Sequence, residues 1–125
     1  MKVNFILLAA ILGALAVALG AFGAHALEGH YTPKALKIYH TGVEYHFYHV
    51  FALLFVAILS RHNPASLLRL SAWFFVAGIV LFSGSLYAYI LTGIHQLAMI
   101  TPMGGVSFII AWVLLFVSEI KHPSL

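Results

Sequence analysis

The placement of charge constrains this chain more than any other feature. No residue from Val3 to Leu27, from Tyr45 to Ser60 or from Leu70 to Ser118 carries a formal charge, and six Lys or Arg with three Glu are all the charge in 125 residues. A hydrocarbon core about 30 Å thick takes roughly 20 apolar helical residues to cross, and only helices or closed barrels satisfy every backbone polar group inside it. The first two stretches supply one crossing each, and the third is long enough for two with a connection. Leu, Ala, Phe and Ile dominate without two-residue alternation, which argues against a barrel. The expected fold class is therefore all-α: an integral-membrane four-helix transmembrane bundle, a single domain over residues 1–125.

Composition agrees. Charged residues are 7% of the chain, against about 25% in a water-soluble domain, so the surface must face lipid. A chain of this length has no room for a catalytic or nucleic-acid-binding module beside four spans. Membrane lipid is the expected surrounding partner, and nucleic acid is not expected. The net charge of +3 comes from so few residues that it reports loop bias. With no Cys, disulfides, thiolate metal sites and Cys nucleophiles are excluded.

Thr32-Pro33, Asn63-Pro64 and Thr101-Pro102 each read as a capping residue followed by Pro at the first helical position. Together with the charge gaps they predict helices over 4–26, 33–60, 64–92 and 102–121. Lys2, Arg61, Arg69 and Lys121 then fall on one side and Lys34 and Lys37 on the other. Because Lys and Arg accumulate in cytoplasmic loops, this bias puts both termini in the cytoplasm and the connection after helix 3 outside. The expected location is the bacterial inner membrane, multi-pass, or the mitochondrial inner membrane in a eukaryote. Lys2, the following apolar stretch and Ala24-His25-Ala26 also resemble a secretory signal peptide with its cleavage site, but the stretch exceeds the ~7–15 residues usual for one. A retained first span is the favoured reading.

Helix 1 carries Ala9, Gly13, Ala16, Gly20, Gly23 and Ala24 at spacings of three to four, a stripe that lets a neighbouring backbone approach closely. Packing within the bundle is favoured over a dedicated dimerisation motif, although a homo-oligomer or a membrane-protein partner stays open. Tyr31, Tyr39, Tyr87 and Tyr89 suggest an aromatic belt near the outer interface, with Trp73 and Trp112 deeper.

Ionisable groups inside a span are costly and are the default functional suspects. Counting back 20 residues from Ser60 reaches Thr41, so Glu44 sits about one turn inside the membrane. At 100° per residue, His40, Glu44 and Tyr48 share one face, whereas His46 and His49 point elsewhere. Depth counting brings His25, Ser83, Ser85, Tyr87 and Thr101 into the same outer leaflet. The candidate site is thus an outer polar pocket of His25, His40, Glu44, Tyr48, His49, Ser83, Ser85, Tyr87 and Thr101 above an apolar plug. An apolar inner half disfavours a channel or proton path, which needs polar groups through the whole thickness.

Three readings of that pocket compete. The first makes it a structural hydrogen-bond network in which Glu44 is paired. The second makes it a site for a lipophilic ligand. The third makes His25, His40 and Glu44 ligands to Zn or Fe, a reasonable two-His, one-carboxylate set, with haem between His25 and His49 as a variant. The residues favour the first, and no cofactor is expected. No HExxH or GxSxG pattern occurs, so hydrolytic catalysis has no support. The chain reads as a structural or accessory component rather than an enzyme, with ligand binding the alternative and a small transporter third.

Several segments carry a family resemblance: residues 19–27 (LGAFGAHAL), Tyr45-His46-Phe47-Tyr48-His49 leading into Ala52-Leu53-Leu54, Phe82-Ser83-Gly84-Ser85-Leu86-Tyr87, and Thr101-Pro102-Met103-Gly104-Gly105 followed by Trp112. They resemble the YgdD-like family of small four-helix inner-membrane proteins of unknown function. The resemblance implies four spans and no particular activity, and directs attention to His25, His49 and the Ser-Gly-Ser-Leu-Tyr and Thr-Pro-x-Gly-Gly segments. The charge bias makes a topological prediction: alkaline phosphatase inserted after Gly93 is active outside the cell, whereas fused at the C-terminus it is inactive. The reverse pattern would invert the orientation.

Overall fold

Asn4 opens the first helix by accepting, on Oδ1, hydrogen bonds from the backbone N–H groups of Ile6 and Leu7 at 3.1 and 3.3 Å. In the computed structural model, which describes residues 2–125, helix α1 runs Phe5–Phe22 and ends in a wide π-helical turn, Gly23–Leu27. Thr32 caps α2 (Pro33–His62) through a 3.1 Å bond from the Ala35 N–H. The third span is α3 (Ser66–Gly78), a second π-turn (Ile79–Ser83) and α4 (Gly84–Thr92). Gly93, at φ 72°, accepts the left-handed conformation that ends α4 and that disfavours any side chain. A short 3₁₀ turn, His95–Met99, leads into α5, Thr101–Lys121. Four continuous helical stretches, Phe5–Leu27, Pro33–His62, Ser66–Thr92 and His95–Lys121, are long and apolar enough to cross a membrane, and among the described residues there is no strand. With four spans, both ends of the chain lie at one end of the bundle.

Two of the three Thr/Asn-Pro pairs do something other than capping. Asn63 terminates α2 and turns its side chain to the C-terminal tail, donating from Nδ2 to the His122 carbonyl at 2.6 Å and to Ser124 Oγ at 3.3 Å. Glu119 holds the same tail by accepting from the Ser124 N–H at 2.9 Å and from its hydroxyl. Consequently α3 starts at Ser66 rather than Pro64, with Ala65 at its cap position and no side-chain cap. Thr101 leaves the α5 terminus uncapped and reaches Ser85 instead, Oγ1 to Oγ 2.6 Å. A helix end at the membrane surface can bond water, so these side chains are free to join neighbouring elements.

In space α2 lies between α1 and the third span, and the third span lies between α2 and α5. The small-residue stripe of α1 faces α2. Ala9 and Ala16 are buried, a Cβ at Gly13 or Gly20 would stand 3.4 or 3.3 Å from Val50 or Val43, and one at Gly23 would overlap the Tyr39 ring. On the other side, a Cβ on Gly78 would enter the Phe108 ring and one on Gly104 would enter the backbone of Phe82, inside the second π-turn. Lipid gives helices no hydrophobic reason to associate, so this closeness is the source of van der Waals adhesion.

The core is continuous toward the end bearing the termini, where Phe5, Val50, Leu53, Val56, Leu68, Phe75, Ile79, Phe108 and Leu115 pack together. A smaller cluster of Leu27, Tyr39, Val43, Tyr87 and Ile90 fills the opposite end. Where an open outer pocket was expected, these aromatic rings stand. Tyr39 and Tyr87 are buried core residues rather than belt residues. The plug itself carries two buried serines that cross helices: Ser71 Oγ donates to the Ala111 carbonyl and Ser107 Oγ to the Phe74 carbonyl, both at 2.8 Å.

Gly104 and Gly105 separate close approach from mere helix flexibility. Gly104→Ala pushes a methyl into backbone that no rotamer change can clear and is expected to destabilise by at least the ~1–3 kcal/mol of an overpacked core. A Cβ on Gly105 lies 3.9 Å from the Phe82 ring, and Gly105→Ala should unfold like the parent. Thermal unfolding in detergent decides it, and equal behaviour of the two variants would refute the close-packing account.

Candidate functional site

Helix α2 has two polar faces, and the bundle buries the one that carries His46 and His49. Both are buried, whereas Glu44 and Tyr48 are exposed and His40 is half-buried on the outer surface. The 100° spacing separates these sets before folding begins; packing against α1, the third span and α5 selects which one turns inward.

His49 is held from both ring nitrogens. Nδ1 lies 2.7 Å from the Tyr45 carbonyl and Nε2 lies 3.3 Å from Trp112 Nε1. A carbonyl only accepts and an indole N–H only donates, so the ring carries its proton on Nδ1 and donates it to Tyr45, while Nε2 accepts from Trp112. Phe108 stacks flat on the ring, centroids 3.5 Å apart and planes 8° from parallel. His49 therefore joins α2 to α5 and offers no free lone pair to a metal or haem.

His46, three residues earlier on the same face, is 2% exposed. Its Nδ1 is 2.9 Å from the Tyr87 hydroxyl, and its Nε2 has no hydrogen-bond partner. Tyr87 packs against Tyr39 at 5.2 Å between centroids, and the Tyr39 hydroxyl donates to the Leu19 carbonyl at 2.6 Å. At the last residue of the second π-turn the backbone rotates Ser83 inward, and its hydroxyl donates to the Gly42 carbonyl at 2.7 Å. The widened turn supplies this reach, as single π-turns do where a helix must change face. Ser85 and Thr101 close the last gap between α4 and α5. Leu19, Tyr39, Tyr87, His46, Ser83 and Gly42 thus tie α1, α2 and the third span together at one level.

Of the nine residues expected to form one pocket, Ser83, Ser85, Tyr87, His49 and Thr101 serve this internal network. His25, His40, Glu44 and Tyr48 stay outside it. His25 lies exposed in the first π-turn, so it does not meet His49. Among the described residues no three His, Asp or Glu side chains gather as a metal-binding group; His25, His40 and Glu44 are not brought together. Glu44, expected to be paired, is exposed beside a shallow groove of about 420 Å³ that Glu28, Lys37, His40 and Thr41 also line. The expected pocket left out His46, read as pointing away from Glu44; Tyr39 and Trp112, read as belt and deeper aromatics; and Ser71 and Ser107. The i, i+3 placement of His46 and His49 on one face is the signal that could have found the first.

Chemically, the interior holds hydroxyl groups directed at carbonyls and two histidines without a carboxylate beside either. A nucleophile needs an adjacent base oriented by a third group; Ser71, Ser83, Ser85 and Ser107 donate to backbone carbonyls instead.

The family comparison fits this arrangement. Residues 19–105 match the model of a family described as Protein of unknown function (DUF423). The UPF0382 membrane protein YwdK of Bacillus subtilis is 50% identical over 123 residues, which cover 98% of this chain and 99% of that protein. The chain belongs to the UPF0382 membrane protein family. The UPF0382 inner membrane protein YgdD of Escherichia coli is 40% identical over 93% of this chain and 88% of its own length, and a Staphylococcus aureus UPF0382 membrane protein is 41% identical over 94% and 95%. No solved structure matches the chain. With four apolar spans and relatives named as membrane and inner membrane proteins, this UPF0382 protein is a multi-pass protein of the inner membrane whose family function is uncharacterised. The matched region of the UPF0382 chain holds Gly20, Gly23, Ser83, Ser85, Thr101 and Gly104, the residues that set helix spacing.

The energetic weight of the network can be ordered. Tyr87→Phe leaves His46 with neither ring nitrogen bonded, and an orphaned buried polar group costs about 1–3 kcal/mol. Ser83→Ala removes only one interhelical bond, worth about 0.6 kcal/mol on average in membrane proteins. Stepwise denaturation in mixed micelles should rank wild type above Ser83→Ala and Ser83→Ala above Tyr87→Phe. A Tyr87→Phe protein as stable as wild type would deny the network its role.

Proposed function

We propose that this chain is a non-catalytic structural or accessory component of the inner membrane, with both termini in the cytoplasm, that docks a membrane-protein partner on the outer face of α2. One observation carries the reading: the buried hydroxyl and imidazole groups engage other helices or backbone carbonyls, with only His46 Nε2 and Ser118 Oγ left over among the described residues. Such a set fixes helix register and leaves little with which to bind a substrate.

The docking face follows from Glu44. A carboxylate about one turn inside the membrane is costly when it faces lipid, though less so than the roughly 2.5–3.5 kcal/mol of a charge at the membrane centre, and among the described residues only an open groove shared with Glu28, Lys37, His40 and Thr41 adjoins it. A partner helix carrying a Lys, Arg or amide at that depth would supply what is missing. His40 and Tyr48, one turn above and below, frame the contact, and Phe51 and Phe55 extend it as exposed apolar surface.

A photo-cross-linking residue in place of Tyr48 tests this in cells. The expected product is one adduct of defined mass, distinct from a dimer of this chain, that disappears in Glu44→Gln; the same probe at Val113, exposed on α5, should give none. Adducts unaffected by Glu44→Gln, or stoichiometric metal or haem in the purified protein, would overturn the reading.

A further inference from the structure

At the end bearing the termini, a cavity of about 560 Å³ opens between the start of α1, the end of α2 and the start of α3. Lys2, Arg61 and Arg69 line it, and among the described residues no carboxylate does. Lys121, the remaining cation at this end, and Glu119 lie outside it. A topological signal requires only that cations lie near the span ends; it does not require three of four to converge on one concavity from three separate segments.

Two further features point the same way. Both helices that begin here lack an acidic residue in the first turn, the position where a carboxylate normally meets the positive end of the helix dipole. The α3 terminus has no side-chain cap at all, and Pro64 and Ala65 place it on the cavity wall. Trp73, 43% exposed and packed edge-on against Phe5 at 5.1 Å, forms the apolar side of the same opening. An amphipathic ring of this kind favours the boundary between headgroups and acyl chains.

We infer that this cavity is a binding site for the phosphate headgroup of an anionic phospholipid. Arg61 and Arg69 hold the phosphate with charge-assisted hydrogen bonds, for which the guanidinium fork is suited. Lys2 adds a third positive charge, the uncapped α3 terminus contributes its free N–H groups, and Trp73 with Phe5 meets the upper acyl chain. Basic pockets between transmembrane helices are a general means of retaining anionic lipid. A soluble phosphate would match the cations equally but would have no use for the aromatic wall, which decides for the lipid.

The test uses the purified full-length chain in nonionic micelles. It is titrated separately with phosphatidylglycerol, phosphatidylcholine and inorganic phosphate, and bound lipid is read by native mass spectrometry. The expected result is one retained phosphatidylglycerol, held about 30- to 150-fold more tightly than phosphatidylcholine, as two to three cations at about 1 kcal/mol each near an anionic headgroup supply. Arg61→Gln/Arg69→Gln should bring it down to the phosphatidylcholine level; among the described residues neither side chain makes an internal hydrogen bond, and both are exposed, so the variant folds. Lys34→Gln/Lys37→Gln removes the same charge from the opposite end and should retain the preference. Equal affinity for the two lipids, retention by the double arginine variant, or equal loss in the double lysine variant overturns the site. Displacement of the lipid by millimolar inorganic phosphate assigns the cavity to a soluble anion and overturns the lipid headgroup.

Discussion

In hydrocarbon, two helices gain nothing from burying leucine against leucine, because lipid tails offer the same contact. What holds this bundle is the distance at which its backbones meet. Gly13, Gly20 and Gly23 admit Val50, Val43 and Tyr39 of α2, Gly78 admits Phe108, and Gly104 admits the backbone at Phe82. Everything else depends on that approach. A serine side chain is short, and Ser71, Ser83 and Ser107 reach carbonyls of neighbouring helices at 2.7–2.8 Å only because those helices are already in close contact.

The histidines show how the same lipid environment divides similar residues. His46 and His49 turn inward, where Tyr87 and the Tyr45 carbonyl with Trp112 receive them. His40 and Glu44 turn outward, to a groove at the far end of the bundle. The internal histidines consolidate the fold, while the external pair and the cationic cavity at the terminal end are free to meet other molecules. Both outward features lie near the ends of spans, where headgroups and water lower the cost of charge.

Much of the architecture was legible residue by residue. The charge-free stretches count the spans because charge is what lipid excludes, and Thr32-Pro33 marks a helix start because capping is local. The identical-looking Asn63-Pro64 and Thr101-Pro102 misled as to capping, since Asn63 bonds the C-terminal tail and Thr101 bonds Ser85, partners 59 and 16 residues away that no local rule anticipates, although α5 does begin at Thr101 with Pro102 in its first turn. The π-turn at Ile79–Ser83 was invisible for the same reason. Its residues are ordinary helix formers in a membrane, and the extra width is stabilised by Gly104 and Gly42 on other spans. The outer pocket failed because depth counting locates a residue along the membrane normal and says nothing of its azimuth.

By itself, then, the sequence determined which segments enter the membrane, how many times the chain crosses, and that His40, Glu44 and Tyr48 lie on a different side of α2 from His46 and His49. These follow from transfer free energy and from the 3.6-residue repeat, both local to a segment. Only the tertiary structure decided which of those sides faces protein, which glycines serve as contact points, and that Lys2, Arg61 and Arg69 surround one cavity. Those outcomes are set by how one helix is rotated against another, and in lipid that rotation is chosen by interhelical packing and hydrogen bonds rather than by the hydrophobicity of any single span.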